Sequence, residues 1–260
     1  MMARQLAMFC CPLVVLRKAW ISAIIFLNTC LIAASPASAE QVGIKVCLLD
    51  IPPWGSSALP DHGILVDVLN ELSGITGVRF EYHVLPFKRA LDFVKNGYCQ
   101  FTVSIDDVAR PYDLIRGATV IKLDFGVMPR RGLELTNVND LKGHKIARVR
   151  GLTIGTSFDS DPQIVKIDAY GAEETITMTE HGRADGALGS IPTMSWWVRQ
   201  HHTADLFDRP FVLVKDMGLY LEMNSDFATS DTARQIGGAM EEMESSGKAQ
   251  ELVKRLLLDW

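Results

Sequence analysis

The sequence predicts an α/β fold in which apolar strands alternate with amphipathic helices. The apolar run Ile44–Leu49 is typical of a buried strand, and apolar residues recur at helical spacing over residues 64–72. Residues 79–84 and 99–104 predict two more strands, with a helix between Pro86 and Gly97. Strands and helices that alternate at this spacing form βαβ units, so we expect parallel sheets.

The first 39 residues have the pattern of a secretory signal peptide. They contain Arg4, Arg17 and Lys18 and no acidic residue, and an apolar run at 19–34 is followed by small residues up to Ala39. A basic start, a short apolar run and a small-residue exit are typical of such peptides. An uncleaved membrane anchor is the alternative, but the run is short for a span. We predict export, with cleavage after Ala39.

The chain that remains after cleavage is acidic. Three of the 26 basic residues leave with the signal, so 23 remain against 31 acidic residues, a formal net charge of −8. This balance argues against nucleic acid and anionic membrane surfaces as partners. The first strand is not followed by a G-x-G-x-x-G phrase, and no P-loop sequence is present, so we predict no nucleotide cofactor.

Two cysteines remain after cleavage, Cys47 and Cys99, each near the end of a predicted strand. An exported protein meets an oxidising compartment. If the two strands are parallel neighbours, the sulfur atoms lie at a similar level and a disulfide fits between them. Two buried free thiols fit the residues equally well.

A rigid loop follows the first strand. Pro52, Pro53, Trp54 and Gly55 cannot continue a strand or a helix. Ligands of open α/β sheets lie beyond the carboxyl ends of the strands, and Trp54 is placed there. An aromatic ring that only packs the loop is the alternative.

The second half of the chain repeats the alternation of strand and helix. We expect strands at 120–128, 145–149, 165–170, 211–214 and 217–223, a helix at 171–181, and two helices that end the chain. Ser190 is expected to cap a further helix that has Pro192 in its first turn. At least one of Trp196 and Trp197, both on that helix, should lie in the core.

Taken in order, these segments resemble the family 3 periplasmic solute-binding proteins. The matching phrases are Pro-Pro-Trp before the helix start at 63–67, the D-L-K-G turn at 140–143, G-x-T at 151–153 and the G-R-A-D phrase at 182–185. The resemblance covers residues 43–260, and its specific part is the order and spacing of the phrases. It implies a type II periplasmic binding protein fold with two lobes, each a mostly parallel sheet flanked by helices.

The resemblance also implies the limits of the two lobes and a set of ligand-binding residues. Lobe 1 would contain residues 40–122 and 216–260, and lobe 2 residues 123–215, joined by two hinge strands beside an interlobe cleft. The residues expected to contact the ligand are Trp54, Ser104, Arg110, Thr153 and Ser190.

These positions indicate a ligand class. The Arg110 guanidinium would form a bidentate pair with a ligand carboxylate, although a surface arginine paired with Asp106 or Asp107 is the alternative. Thr153 would lie at a helix N-terminus, which favours an anion. Ser190 stands where amino-acid binders usually carry an aspartate for the α-ammonium group. We therefore expect a small carboxylate, or an amino-acid derivative whose amine is bound differently.

The resemblance implies a monomeric periplasmic receptor that delivers a small polar solute to the membrane permease of an ABC importer, without catalytic activity, cofactor or metal. Two alternatives remain. Some relatives are periplasmic dehydratases, which would need a carboxyl group in the cleft that acts as a general acid or a general base. Others are accessory proteins of periplasmic redox enzymes, and those carry cysteines where Cys47 and Cys99 stand.

Overall fold

The described part of the chain is built on one sheet of eight strands. The computed structural model describes residues 43–59, 63–105 and 113–259 of the compact unit Val42–Trp260, so the predicted signal peptide and Arg110 lie outside the described residues. The strands are β1 (Ile44–Leu49), β2 (Phe80–Leu85), β3 (Phe101–Ile105), β4 (Ile115–Pro129), β5 (Lys145–Val149), β6 (Val165–Ala169), β7 (Gly186–Ser190) and β8 (Phe211–Met223). Their order across the sheet is β2-β1-β3-β8-β4-β7-β5-β6.

Helices flank this sheet. Within the described ranges they are α1 (Ile64–Thr76), α2 (Phe87–Lys95), α3 (Ser157–Ser160), α4 (Ala172–Glu180), α5 (Ile191–Gln200), α6 (Ser225–Ala228), α7 (Asp231–Ser245) and α8 (Lys248–Asp259), with 3₁₀ turns at Val138–Leu141 and Ala204–Leu206. None of the helices in the described residues combines the length and the apolar character that a membrane crossing requires.

The sheet contains two parallel groups, as the alternating pattern predicts. Strands β2, β1 and β3 form one group, and β7, β5 and β6 form the other. The long strands β4 and β8 lie between the groups as an antiparallel pair. The fold is therefore two-lobed, with β4 and β8 passing through both lobes.

The long pair is more continuous than the sequence predicts. Strand β8 does not break at Lys215 and Asp216, where we expected two separate strands, although Asp216 has a positive φ of 54°. Its backbone N–H donates to Asp124 Oδ1 of the neighbouring strand at 3.1 Å. The register shifts between Leu123 and Phe125 and again before Gly126. These irregularities absorb the residues that look like a turn in the sequence.

A disulfide joins β1 to the segment before β3. The Cα atoms of Cys47 and Cys99 are 5.7 Å apart, and both residues are fully buried. The two strands are parallel neighbours, with Val46 opposite Phe101. The structure thus holds the bonded form rather than the two free thiols that the residues also allowed.

Most helix faces pack as their periodicity predicts. In α2, Ala90 and Leu91 are buried, whereas Phe87, the first residue of the helix, is 47% exposed. Ser190 caps α5 with Pro192 in its first turn, which confirms the predicted cap. Trp196 is buried, as expected for at least one tryptophan of this helix.

Candidate functional site

The topology makes the carboxyl ends of the two parallel groups face each other. β3 pairs with the C-terminal half of β8, and β7 pairs with the C-terminal half of β4. Since β4 and β8 are antiparallel, the two groups lie at opposite ends of the long pair and run in opposite directions. Loops that follow β1 and β3 therefore meet loops that follow β5 and β7, and the cleft between the lobes is lined by these ends.

Trp54 is held rigidly at this edge. Its backbone N–H donates to the carbonyl of Ile51, and its own carbonyl accepts from Leu65 at 2.9 Å. The N–H of Ile64 donates to Pro53, so the loop is fixed to the first turn of α1. Gly63 makes this approach possible: its φ is 102°, and a Cβ there would lie 2.7 Å from the Trp54 carbonyl oxygen.

The Trp54 indole contacts the other lobe. Its Nε1–H donates to the Thr193 hydroxyl at 2.6 Å, in a buried contact between residues 139 positions apart. The Thr193 oxygen lies 2.5 Å from Ser190 Oγ, and Ser190 Oγ also accepts from the Thr193 N–H at 3.3 Å. The three side chains form a buried polar chain across the cleft, with exposed fractions of 5–6%. The structure therefore brings together Trp54 and Ser190, and it adds Thr193.

The segment after β5 differs from its prediction. Thr153 lies in a loop and not at a helix N-terminus, because α3 begins at Ser157 and its N-cap is Thr156. The Asp159 carboxylate closes this loop: its Oδ2 accepts three backbone N–H groups at 2.7–3.2 Å, those of Ile154, Gly155 and Thr156. The amide donors that we expected to favour a ligand anion are thus occupied by a side chain of the protein itself.

The other predicted ligand residue in the described chain is Ser104. It lies in β3, opposite Tyr220 of β8, and is half-buried. It follows Val103, which is part of the core, so its position on the strand is fixed by packing. Strand β3 runs parallel to β1, which places Ser104 on the carboxyl side of that group.

A cation and an aromatic ring lie at the same edge of the second lobe. Arg150 follows β5 directly, and its guanidinium carbon lies 5.0 Å from the centre of the Tyr170 ring, which follows β6. Tyr170 is 83% exposed. An arginine stacked on a ring keeps its donors free to face solvent or a ligand. Sequence reasoning missed this pair because the two residues meet only when β5 and β6 are side by side.

Helix α5 also contacts the last helix. The Arg199 side chain donates from Nη2 to the Leu257 carbonyl of α8 at 3.1 Å. Thus α5 is joined to other parts of the chain near its first turn, through Thr193, and in its last turn, through Arg199.

Two cavities lie outside the cleft. One, of about 300 Å³, is beside the long strand pair near Lys122, and the other, of about 460 Å³, is between the start of β4 and α7. Neither is lined by a predicted ligand residue. Among the described residues no cluster of three or more histidine, cysteine or acidic side chains could hold a metal ion.

Solved structures with this fold can be recognised despite low sequence identity. The periplasmic VFT2 domain of Bordetella pertussis BvgS has a TM-score of 0.72 at 18% identity, over 84% of this chain and 94% of that one. A histidine kinase sensor domain with similarity to periplasmic binding proteins has a TM-score of 0.67 at 12% identity, over 83% and 96%. An arginine transport system periplasmic binding protein from Legionella pneumophila has a TM-score of 0.66 at 13% identity, over 82% and 98%.

No protein-family model and no curated protein matches the sequence. The fold class is nevertheless clear from the sheet order, the two long connecting strands and these structural neighbours. The chain has the two-lobed type II periplasmic binding protein fold, as the order of its motifs predicts.

Proposed function

We propose that this protein is a periplasmic solute-binding receptor, and that it takes a small polar solute into the cleft between its lobes. The observation that carries the proposal is that Thr193 joins Trp54, in the loop after β1, to Ser190, the last residue of β7. This contact lies where the carboxyl ends of the two parallel groups face each other. The structural neighbours support it, because they include a transport binding protein and a sensor domain with the same fold.

The ligand that we propose is a small carboxylate or an amino-acid derivative. Arg110 would bind its acidic group, and Trp54, Ser104, Thr153 and Ser190 would surround the rest. Ser190 carries no charge, and its hydroxyl is bonded to Thr193, so it offers no counter-ion for an α-ammonium group. The exposed guanidinium of Arg150 adds a second positive group at the same edge.

Hinge bending would occur in the long strand pair. The register shifts near Leu123 and Phe125 lie opposite residues 214–217 of β8, close to the limits that we propose for the lobes, 122/123 and 215/216. Bulged positions change twist locally and bend more readily than a regular ladder. A change in lobe angle would be read by a membrane partner, for which we propose the permease of an ABC importer.

A thermal-shift screen tests this function. The protein would be produced with its own N-terminal segment, purified from the periplasm, and unfolded and refolded to remove any ligand. The panel holds amino acids, opines, small dicarboxylates and polyamines. A ligand at about 100 times its Kd stabilises by about 2.7 kcal/mol, which raises the Tm of a protein of this size by about 5–11 °C.

Matched arginine variants complete the experiment. We expect Arg110→Ala to abolish the shift and Arg131→Ala, at an exposed arginine beyond β4, to leave it intact. A cationic ligand whose affinity survives Arg110→Ala would refute the carboxylate part of the proposal. A panel without any hit would refute the solute classes named here.

A second function is favoured by the disulfide. Cys47 and Cys99 are bonded at the positions where accessory proteins of periplasmic redox enzymes carry cysteines. Both are fully buried, so their role would be structural and the partner would bind elsewhere. Affinity capture from periplasmic extract, followed by mass spectrometry, should then recover a redox enzyme, with the protein unresponsive to every solute of the panel.

A further inference from the structure

The cleft contains a hydrogen bond that joins one lobe to the other through side chains of the protein itself. We propose that helix α5 is a latch, which holds the two lobes together through Trp54 near its first turn and Leu257 near its last turn. This inference rests on the proposed function, since it concerns how that binding cleft is regulated. With the latch in place the receptor is closed before a ligand binds, and a ligand acts by displacing the hydrogen bond between Trp54 and Thr193.

The first half of the latch is the buried chain from Trp54 to Thr193 to Ser190. The loop of Trp54 is fixed to α1 by backbone hydrogen bonds, and Thr193 is fixed to the end of β7 by the helix cap. Neither side chain can follow the other lobe if the lobes separate. Opening would therefore break the 2.6 Å hydrogen bond and expose an indole ring that is 6% exposed here.

The second half of the latch is the contact of Arg199 with α8. A guanidinium N–H donates to the Leu257 carbonyl, close to the C-terminal end of α8, where carbonyl groups lack partners within the helix. Residues of α8 pack on the core of the first lobe, Val253 among them. Both ends of α5 are thus hydrogen-bonded to residues of the first lobe.

Side chains of the cleft are paired with one another, which favours a closed form. Trp54 Nε1 and Ser190 Oγ already have partners, and Asp159 occupies three backbone N–H groups at the start of α3. Polar groups that have no partner until a ligand arrives would destabilise such a closed form. Here Trp54 Nε1 and Ser190 Oγ are both paired by Thr193, so closure leaves neither of them buried without a partner.

This latch lowers the apparent affinity of the cleft. A ligand that needs the open form binds with its intrinsic Kd divided by the fraction of open molecules. A weaker latch should therefore bind the same ligand more tightly, whereas loss of an ordinary ligand contact would weaken binding.

Distance measurements on the ligand-free protein test the latch. Spin labels would be attached to cysteines introduced at Asn96 and Arg183, two exposed positions on different lobes. Pulsed electron paramagnetic resonance would then give the distribution of interlobe distances. We expect one short distance in the parent protein, and about a tenfold rise in the open fraction for Thr193→Val, which keeps the side-chain volume but loses the hydroxyl.

Two further variants control for packing. Thr193→Ser keeps the hydroxyl and should keep the short distance, and Trp54→Phe keeps an aromatic ring but loses the donor and should open the cleft. If the ligand-free parent shows the same broad distribution as Thr193→Val, the latch is refuted. Because no ligand is used, this outcome is independent of the solute screen: the latch can hold where the screen finds no solute, and fail where it finds one.

Discussion

Removal of the buried disulfide should destabilise the protein strongly without changing its fold. Cys47 and Cys99 are 52 residues apart in sequence. In the chain-entropy description, a disulfide that closes a loop of this length lowers the conformational entropy of the unfolded chain, which stabilises the folded state by about 4 kcal/mol. For a protein of this size, each kcal/mol shifts Tm by about 2–4 °C, so we expect the reduced form to melt about 8–16 °C lower.

The measurement compares oxidised and reduced protein by calorimetry. Because both cysteines are fully buried in the cluster of Leu49, Ala90 and Val94, reduction requires opening, so the reduced sample is prepared by unfolding in reductant and refolding. A Cys47→Ala, Cys99→Ala double variant is the matched control. Its Tm should not respond to reductant, and it should melt below the reduced parent because of the lost sulfur packing.

The result that would refute this reasoning is a reduced parent whose Tm equals that of the oxidised form within about 2 °C. Such a result would mean that the segment between the two cysteines is already ordered in the unfolded chain, or that the disulfide strains the folded protein. Far-UV circular dichroism of the reduced protein should remain unchanged, because β1 and β3 are also held by the sheet.

Three more predictions concern single side chains. Asp159→Ala should lower the free energy of unfolding in urea by about 1–2 kcal/mol. Asp159→Asn keeps an acceptor oxygen and should lower it by less, so equal effects of the two variants would contradict the role of the carboxylate as acceptor. Backbone and hydroxyl hydrogen bonds from Thr136 lower the pKa of Asp140, so this carboxylate stabilises the fold above its ordinary pKa. The stability that Asp140→Asn loses at pH 7 should therefore shrink as pH falls below about 4 toward the lowered pKa, and thermal unfolding at pH 7 and 3 should show a smaller difference from the parent at pH 3. Burial of the Tyr82 side chain raises the pKa of its hydroxyl group, and the negative charge of Asp67 raises it further. Stability should therefore fall as pH rises above about 10, where only the unfolded form ionises, and a Tyr82→Phe variant with the same loss would contradict this.

Local signals in the sequence were sufficient for most of the fold. Gly97 and Gly182 end helical segments with positive φ values of 76° and 66°, and glycine adopts that conformation without strain. The cap at Ser190 with Pro192 is also a local signal, since the hydroxyl and the proline both act within the first turn of α5.

The hinge strands were harder to predict. Lys215 and Asp216 are polar and Gly218 follows two residues later, which in sequence indicates a turn. The strand continues because Asp124 of the neighbouring strand accepts the N–H of Asp216, and that neighbour lies 92 residues away. A single sequence contains no information on such a pairing, so one long strand was predicted as two.

The candidate site was predicted only in part for the same reason. Trp54 is indicated by its position after a strand, and Ser190 by the family resemblance. The residue that joins them, Thr193, looks like an ordinary residue of a first helical turn. The displaced start of α3 had a readable signal, because Thr156 and Asp159 have the spacing of a capping box. The family resemblance places the helix start at Thr153 instead, three residues too early for this cap.

The place of β8 in the sheet has a consequence for how the chain acquires its structure. Strands β5, β6 and β7 and their helices come from one continuous stretch of sequence, whereas β3 must wait for the C-terminal half of β8, more than 100 residues later, to cover its edge. In a chain delivered amino terminus first, the second lobe can therefore fold early while the first remains an open half-sheet. The bond between Cys47 and Cys99 involves only segments that are already present at that stage. It can hold β1 beside β3 until the end of the chain arrives, which makes oxidation a step of assembly as well as a source of stability.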